Sequence, residues 1–206
     1  LTRAGYYTTA TLLDFLFAYR NETDLRVWGV VVSALYAVEH IMGDNPRFSH
    51  AYNAYVNLLL AQSYQKLGWQ EKTNEEHQDK ILRGLILRML GGIDNPAVVS
   101  EAQKRFSGYL ENPDSIPADL KSAVFGTVAK RANEETYNRI FECYRRASLH
   151  EKLQLLSSLA ECANPVLLRK TLDLLLGNDV RPQDAFLMLG RFAANPHGRS
   201  MTWQFV

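Results

Sequence analysis

The chain has 206 residues, 47% of them hydrophobic, with 23 Lys plus Arg against 22 Asp plus Glu and a net charge of +1. That is enough apolar material for a sizeable core, while the balanced charge lacks the basic field that grips phosphates and so excludes nucleic acid as a partner. Two cysteines, Cys143 and Cys162, are too few for a disulfide framework; both read as core thiols, and a single bridge between them stays open. No apolar run approaches the roughly 20 residues that cross a bilayer, and residues 1–5 lack the basic-then-apolar order of a secretory signal. No membrane span is expected.

Apolar residues recur at helical spacing from one end to the other. Leu25, Trp28, Val32 and Leu35 form the first stripe, inside a helix expected over 24–42, and Phe48, Tyr52, Tyr55 and Leu59 the second, over 46–67. Leu82, Leu85, Ile86 and Met89 follow, then Val99, Ala102, Phe106 and Tyr109, then Leu120, Val124 and Val128. Tyr137, Ile140, Phe141 and Tyr144 come next, then Leu149, Leu153, Leu156 and Ala160, then Leu168, Leu172 and Leu175, and finally Phe186, Leu189 and Ala193. No strand pattern appears, since even Val30-Val31-Val32 lies inside a helical period.

Between the stripes stand Asn-Pro and Gly-rich breaks at 43–46, 91–96, 112–117, 164–165, 177–179 and 195–196. Gly or Asn is expected to end each helix in a left-handed cap, and Pro to open the next. From Pro117 the helix starts fall near 117, 133, 148, 165, 182 and 199, so a helix pair recurs roughly every 32 residues. That is the spacing of a solenoid without tetratricopeptide or ankyrin consensus residues. The expected fold is all-α: a superhelical array of antiparallel helix pairs of the HEAT or armadillo kind, forming a single domain over 1–206.

Chemistry is sparse. His40, His50, His77, His150 and His197 include no pair three or four apart, so no helical zinc site is expected. GxSxG, Walker and GxGxxG motifs are absent. Glu75-Glu76 and Glu134-Glu135 are adjacent acids near helix starts, which favour the helix dipole rather than acid–base pairing. His77, Lys80 and Arg83 share a helix face beside Asp79 and read as a compensated, hydrated surface rather than an anion site. Tyr52, Tyr55, Tyr64 and Trp69 read as core. Neither a catalytic nor a metal-binding residue is assigned, and Asn21-Glu22-Thr23 is a glycosylation sequon.

Several segments nonetheless form an ordered set. They are Leu1-Thr2-Arg3-Ala4-Gly5; His77 followed by Leu82-Arg83-Gly84-Leu85-Ile86-Leu87-Arg88-Met89-Leu90-Gly91; Glu101-Ala102-Gln103-Lys104-Arg105-Phe106; and Ala118-Asp119-Leu120-Lys121-Ser122-Ala123-Val124. Val180-Arg181-Pro182-Gln183-Asp184 and Asn195-Pro196-His197-Gly198-Arg199, with Trp203 and Phe205 beyond, complete it. In order and spacing these resemble the C-terminal helical domain of M1-type zinc aminopeptidases, closest to the puromycin-sensitive branch. The family's HExxH, second zinc-binding Glu and GxMEN loop are missing.

The resemblance implies a non-catalytic domain that closes the active-site chamber and gates or positions the peptide. The parent would be a metallo-aminopeptidase with zinc in its catalytic domain, and this piece would be truncated at both ends and hold no cofactor. Its implied partners are the catalytic domain of the same polypeptide and the peptide, with self-association of the piece through Trp203. Arg83, Arg181 and Arg199, in the matching segments, are the candidate contacts for a peptide carboxylate. The branch implies a cytoplasmic location, while the sequon at Asn21 keeps the secretory pathway or cell surface as the alternative. The competing reading is a free-standing helical-repeat scaffold for protein–protein interaction.

Overall fold

The structure, a computed structural model, describes residues 5, 7–42, 45–175, 177 and 180–205. The motif at residues 1–4, the breaks at 43–44 and 178–179, and Val206 lie outside the described residues. Among those described there are eleven α-helices and no strand. The all-α array expected from the periodicity is present, and the chain divides into two compact units, 1–93 and 94–206.

The first unit contains α1 (Thr9–Phe17), α2 (Leu25–Met42), α3 (Pro46–Leu67) and α4 (His77–Gly92). α2 packs on α3 and α4, and α3 on α4. Trp28, Leu35, Val56, Leu59 and Ile86 are buried between them. Two tyrosines tie α3 to its neighbours: the Tyr52 hydroxyl donates to the Leu35 carbonyl (2.9 Å) and that of Tyr55 to the Leu13 carbonyl (2.6 Å). One expectation is corrected in this unit. α2 has 18 residues with mean hydropathy 1.3, long and apolar enough by length and composition to cross a membrane. Its Trp28, Val31, Val32 and Leu35 are nevertheless buried in a protein core.

The second unit contains α5 (Pro96–Glu111), a 3-10 turn (Pro113–Ser115), α6 (Ala118–Lys130), α7 (Glu134–Arg146), α8 (Leu149–Leu159), α9 (Pro165–Leu175), α10 (Pro182–Ala194) and α11 (Arg199–Phe205). α6 is its centre, packed on α5, α7 and α8, while α10 packs on α8, α9 and α11. The rings of Phe106 and Tyr109 meet the Phe125 ring edge-on, with centroids 6.3 and 5.0 Å away. The Tyr137 and Thr171 hydroxyls share a buried hydrogen bond of 2.9 Å between α7 and α9.

The asparagines at the breaks act differently from the expectation. Asn45 and Asn95 are extended, with φ of −94° and −58°, and their side-chain oxygens accept from Phe48 N and Val98 N at the start of the following helix. Asn164 does the same for α9, and so, outside those breaks and before Glu134 rather than a proline, does Asn133 for α7. The residue before a proline is pushed out of the helical region into extended geometry, and that is the geometry of an N-cap. These asparagines therefore open helices, whereas Asn112 and Asn195 do close α5 and α10, with φ of −139° and −76° rather than in the left-handed region.

Two apolar stripes are also revised. On α8, Leu155, Leu156 and Leu159 are buried while Leu149 is exposed and Leu153 only half-buried. On α10 the buried residues are Met188 and Phe192; Leu189 is half-buried and Phe186 is 77% exposed.

Candidate functional site

Of three segments singled out in the sequence, two turn out to be fastenings between helices and one a pair within the first turn of a single helix. The first surrounds Arg83 on α4. Its side chain and that of Glu75 are each only 4% exposed and form an ion pair. Arg83 Nε also donates to the Leu67 carbonyl at 3.2 Å, and Lys72 N donates to Glu75 Oε2 at 3.3 Å. One guanidinium thus pins both the end of α3 and the loop that leads into α4. The loop leaves α3 through Gly68, whose φ of 56° is the left-handed region that favours glycine. Burial opposes ionisation of Glu75, but hydrogen bonds from Arg83 and Lys72 outweigh it and hold the carboxyl below its ordinary value. Lys80 on the same helix pairs with Glu71. The face His77, Lys80, Arg83 is compensated, as expected, although by acids of the loop and with Arg83 buried rather than hydrated.

The second segment is the start of α10. Arg181 stands at the N-cap, Pro182 takes the first turn, and Arg181 Nε and Nη2 bind the two oxygens of Asp184 at 2.8 and 3.2 Å. The pair is internal to four consecutive residues, and 45% of the Arg181 side chain remains exposed.

The third is the turn from α10 to α11. Asn195 Nδ2 donates to the carbonyls of Ala160 (2.8 Å) and Cys162 (2.9 Å), stapling the turn to the end of α8, while its oxygen accepts from His197 N at 2.9 Å. Gly198 is required by close approach: a Cβ there would lie 2.8 Å from the Phe192 carbonyl oxygen. Arg199 opens α11 and is half-buried. Arg181 and Arg199 flank the two ends of α10, 13 residues or about 20 Å of helix. Arg181 and Arg199 therefore do not converge on one point, being at opposite ends of one helix of the second unit; Arg83 belongs to the first unit.

A fourth polar tie carried no sequence signal, because its members are 30 and 42 residues apart. Glu151 Oε1 accepts from the Tyr109 hydroxyl at 2.9 Å and from Lys121 Nζ at 2.5 Å, joining α8 to α5 and α6. Burial, then the hydrogen bond to Glu151, pushes the Tyr109 hydroxyl above the ordinary tyrosine value. Cys143 and Cys162 are free; Cys162 is buried and Cys143 half-buried, and burial raises both thiols. Among the adjacent acids, Glu135 pairs with Arg139 at 2.7 Å, whereas Glu75 turns inward to Arg83. Among the described residues no group of three or more His, Cys, Asp or Glu is placed to hold a metal ion.

An all-α array whose charged and amide groups fasten its turns is the class of protein that this fold and these sites define. The chain belongs to the ERAP1-like C-terminal domain family, whose model matches residues 1–206. It is similar to Aminopeptidase M1-A of Oryza sativa subsp. japonica, 30% identical over 98% of this chain and 24% of that protein. Aminopeptidase M1 of Arabidopsis thaliana is 30% identical over 100% of the chain and 24% of its own length. Aminopeptidase 2, mitochondrial, of Saccharomyces cerevisiae is 26% identical over 100% of the chain and 22% of its own length. The chain thus spans about a quarter of the length of the relatives it matches.

Proposed function

We propose that the chain is the non-catalytic C-terminal domain of a zinc-dependent M1 aminopeptidase, in which it closes the active-site chamber and positions the peptide. The observation that carries this reading is the full-length match to the ERAP1-like C-terminal domain, with aminopeptidases aligned along the whole chain. In this proposal the two units form one superhelical domain whose partners are the catalytic domain of the same polypeptide and the peptide substrate, in the cytoplasm. The described residues supply no donor set for zinc, so they do not fit the metal, which would be held by the catalytic part.

Arg83 enters the proposal as the fastening of the α3–α4 loop, because presenting it to a peptide would strand Glu75 in a dry site. Arg181 and Arg199, at opposite ends of α10, are proposed as alternative contacts for the peptide carboxylate, either able to give a charge-assisted hydrogen bond. The complete parent protein is expected to release N-terminal residues from peptides and to lose that activity on chelation. One of Arg181→Ala and Arg199→Ala should raise KM for a peptide with a free C-terminal carboxylate and leave KM for its C-terminal amide unchanged. Equal effects on acid and amide in both variants would remove the two arginines from the site. A parent frame without HExxH and without peptidase activity would favour a free-standing scaffold.

A further inference from the structure

The turn from α7 to α8 reads Arg145-Arg146-Ala147-Ser148-Leu149. Two guanidinium groups stand three and two residues ahead of a hydroxyl, and a branched apolar side chain follows it. α7 ends at Arg146 and α8 starts at Leu149, so the hydroxyl falls in the break between them. Ala147 and Ser148 are extended, with φ and ψ of −68° and 157° and of −63° and 162°. Arg145, Arg146, Ser148 and Leu149 are all exposed. Ser148 is the N-cap residue of α8, yet its side chain makes no capping hydrogen bond. Serine at that position ordinarily ties its oxygen to an N–H of the first turn; here the hydroxyl is left to solvent.

The chain holds its own comparison. Lys104-Arg105-Phe106-Ser107 has cations at the same two places before a serine. Ser107 lies inside α5, its hydroxyl donates to the Gln103 carbonyl at 3.1 Å, and Arg105 is paired with Glu101 at 2.9 Å. Gly108 follows it in place of an apolar side chain. The spacing therefore occurs once in a form that another protein can grip and once in a form locked into a helix.

We propose that Ser148 is a phosphorylation site for a basophilic serine/threonine kinase with ATP as donor. In the transfer Ser148 Oγ forms a bond to the γ-phosphorus, the bond from that phosphorus to the bridging oxygen breaks, ADP leaves, and the hydroxyl proton passes to a carboxylate of the kinase. Arg145 and Arg146 are the recognition elements, because planar guanidinium groups pair bidentately with carboxylates ahead of the acceptor. The last turn of α7 must open for both to be read, and helix ends open at little cost. The product suits its place. A phosphate on Ser148 stands at the N-terminal end of an 11-residue helix, where negative charge is favourable, with Arg145, Arg146 and Lys152 within four residues of it. Glu151, the acid of that first turn, is already engaged by Tyr109 and Lys121. None of this depends on what the parent polypeptide catalyses.

The test incubates the folded, complete parent protein with magnesium, γ-labelled ATP and the catalytic subunit of cyclic-AMP-dependent protein kinase as the basophilic probe, and maps the label by digestion. The expected result is label on Ser148 and none on Ser107, with the Ser148 label lost in Ser148→Ala. Arg145→Ala and Arg146→Ala should each lower kcat/KM at Ser148 on the order of tenfold, the factor that one charged hydrogen bond carries. All three substituted positions are exposed, and melting curves matching wild type separate lost recognition from lost fold. No label on Ser148 of the folded protein overturns the proposal, even where a synthetic peptide of residues 142–152 accepts it, because the fold then hides the turn. Undiminished labelling in both arginine variants, or label on Ser107 in place of Ser148, overturns it as well.

Discussion

Arg83 and Asn195 each fasten a turn to a neighbouring helix, Arg181 closes only on Asp184 in the first turn of its own helix, and of the three only the Arg83 site buries its charges on both sides. That makes it sensitive to acid. The folded-state value of Glu75 is lowered, so the pair's contribution is complete above the ordinary glutamate value of about 4.3 and is lost as pH falls through the lower folded-state value. Glu75→Gln should cost about 1–3 kcal/mol at neutral pH, because a charged hydrogen bond to a buried guanidinium is replaced by a weaker one. Urea titration should show the gap to wild type narrowing below about pH 4; a gap independent of pH would mean that Glu75 is not ionised in the folded chain. Arginine at these positions was legible as a motif. Its partners were not: Glu75 and Leu67 lie 8 and 16 residues from Arg83, and nothing in a one-dimensional pattern says which acid turns inward.

At the scale of the helix, boundaries were more legible than faces. The starts expected near 165, 182 and 199 coincide with α9, α10 and α11; for the first two the signal is proline at the first helical position, which announces itself without reference to packing. Faces depend on neighbours. α10 carries two apolar stripes, Phe186-Leu189-Ala193 and Met188-Phe192, and contact with α8, α9 and α11 covers the second. On α9 there is a single stripe, and Leu168, Leu172 and Leu175 are all buried. Leu172→Ala should therefore cost about 2–5 kcal/mol in denaturant titrations, the range for emptying a packed site. Leu189→Ala, at a half-buried position, should cost clearly less. Lys170→Ala removes an exposed contact to Asn138 of 3.0 Å and should cost under about 1 kcal/mol. Equal losses at Leu172 and Leu189 would show that α10 is covered on a face it leaves open here.

At the scale of the molecule, the second unit displays Phe186, Leu187 and Trp203 at 77%, 58% and 78% exposure. Large apolar side chains shown to water in this number mark a surface that takes a partner. The 206-residue chain should self-associate as its concentration rises, and Trp203→Ser should weaken that association. Sedimentation equilibrium decides the matter: a chain that stays monomeric throughout, with or without Trp203, leaves this surface without a role in association. The same tryptophan has a spectroscopic consequence when set beside Trp28, which is fully buried with its indole N–H given to the Glu22 carbonyl at 2.9 Å. Indole in a dry site emits at shorter wavelength and is shielded from dissolved quenchers, whereas indole in water emits further to the red and is quenched at once. Of the chain's three tryptophans, buried Trp28 therefore supplies the bluest emission and watches the interior of the first unit, half-buried Trp69 of the same unit falls between, and Trp203 supplies the reddest, most acrylamide-sensitive emission and watches the surface of the second.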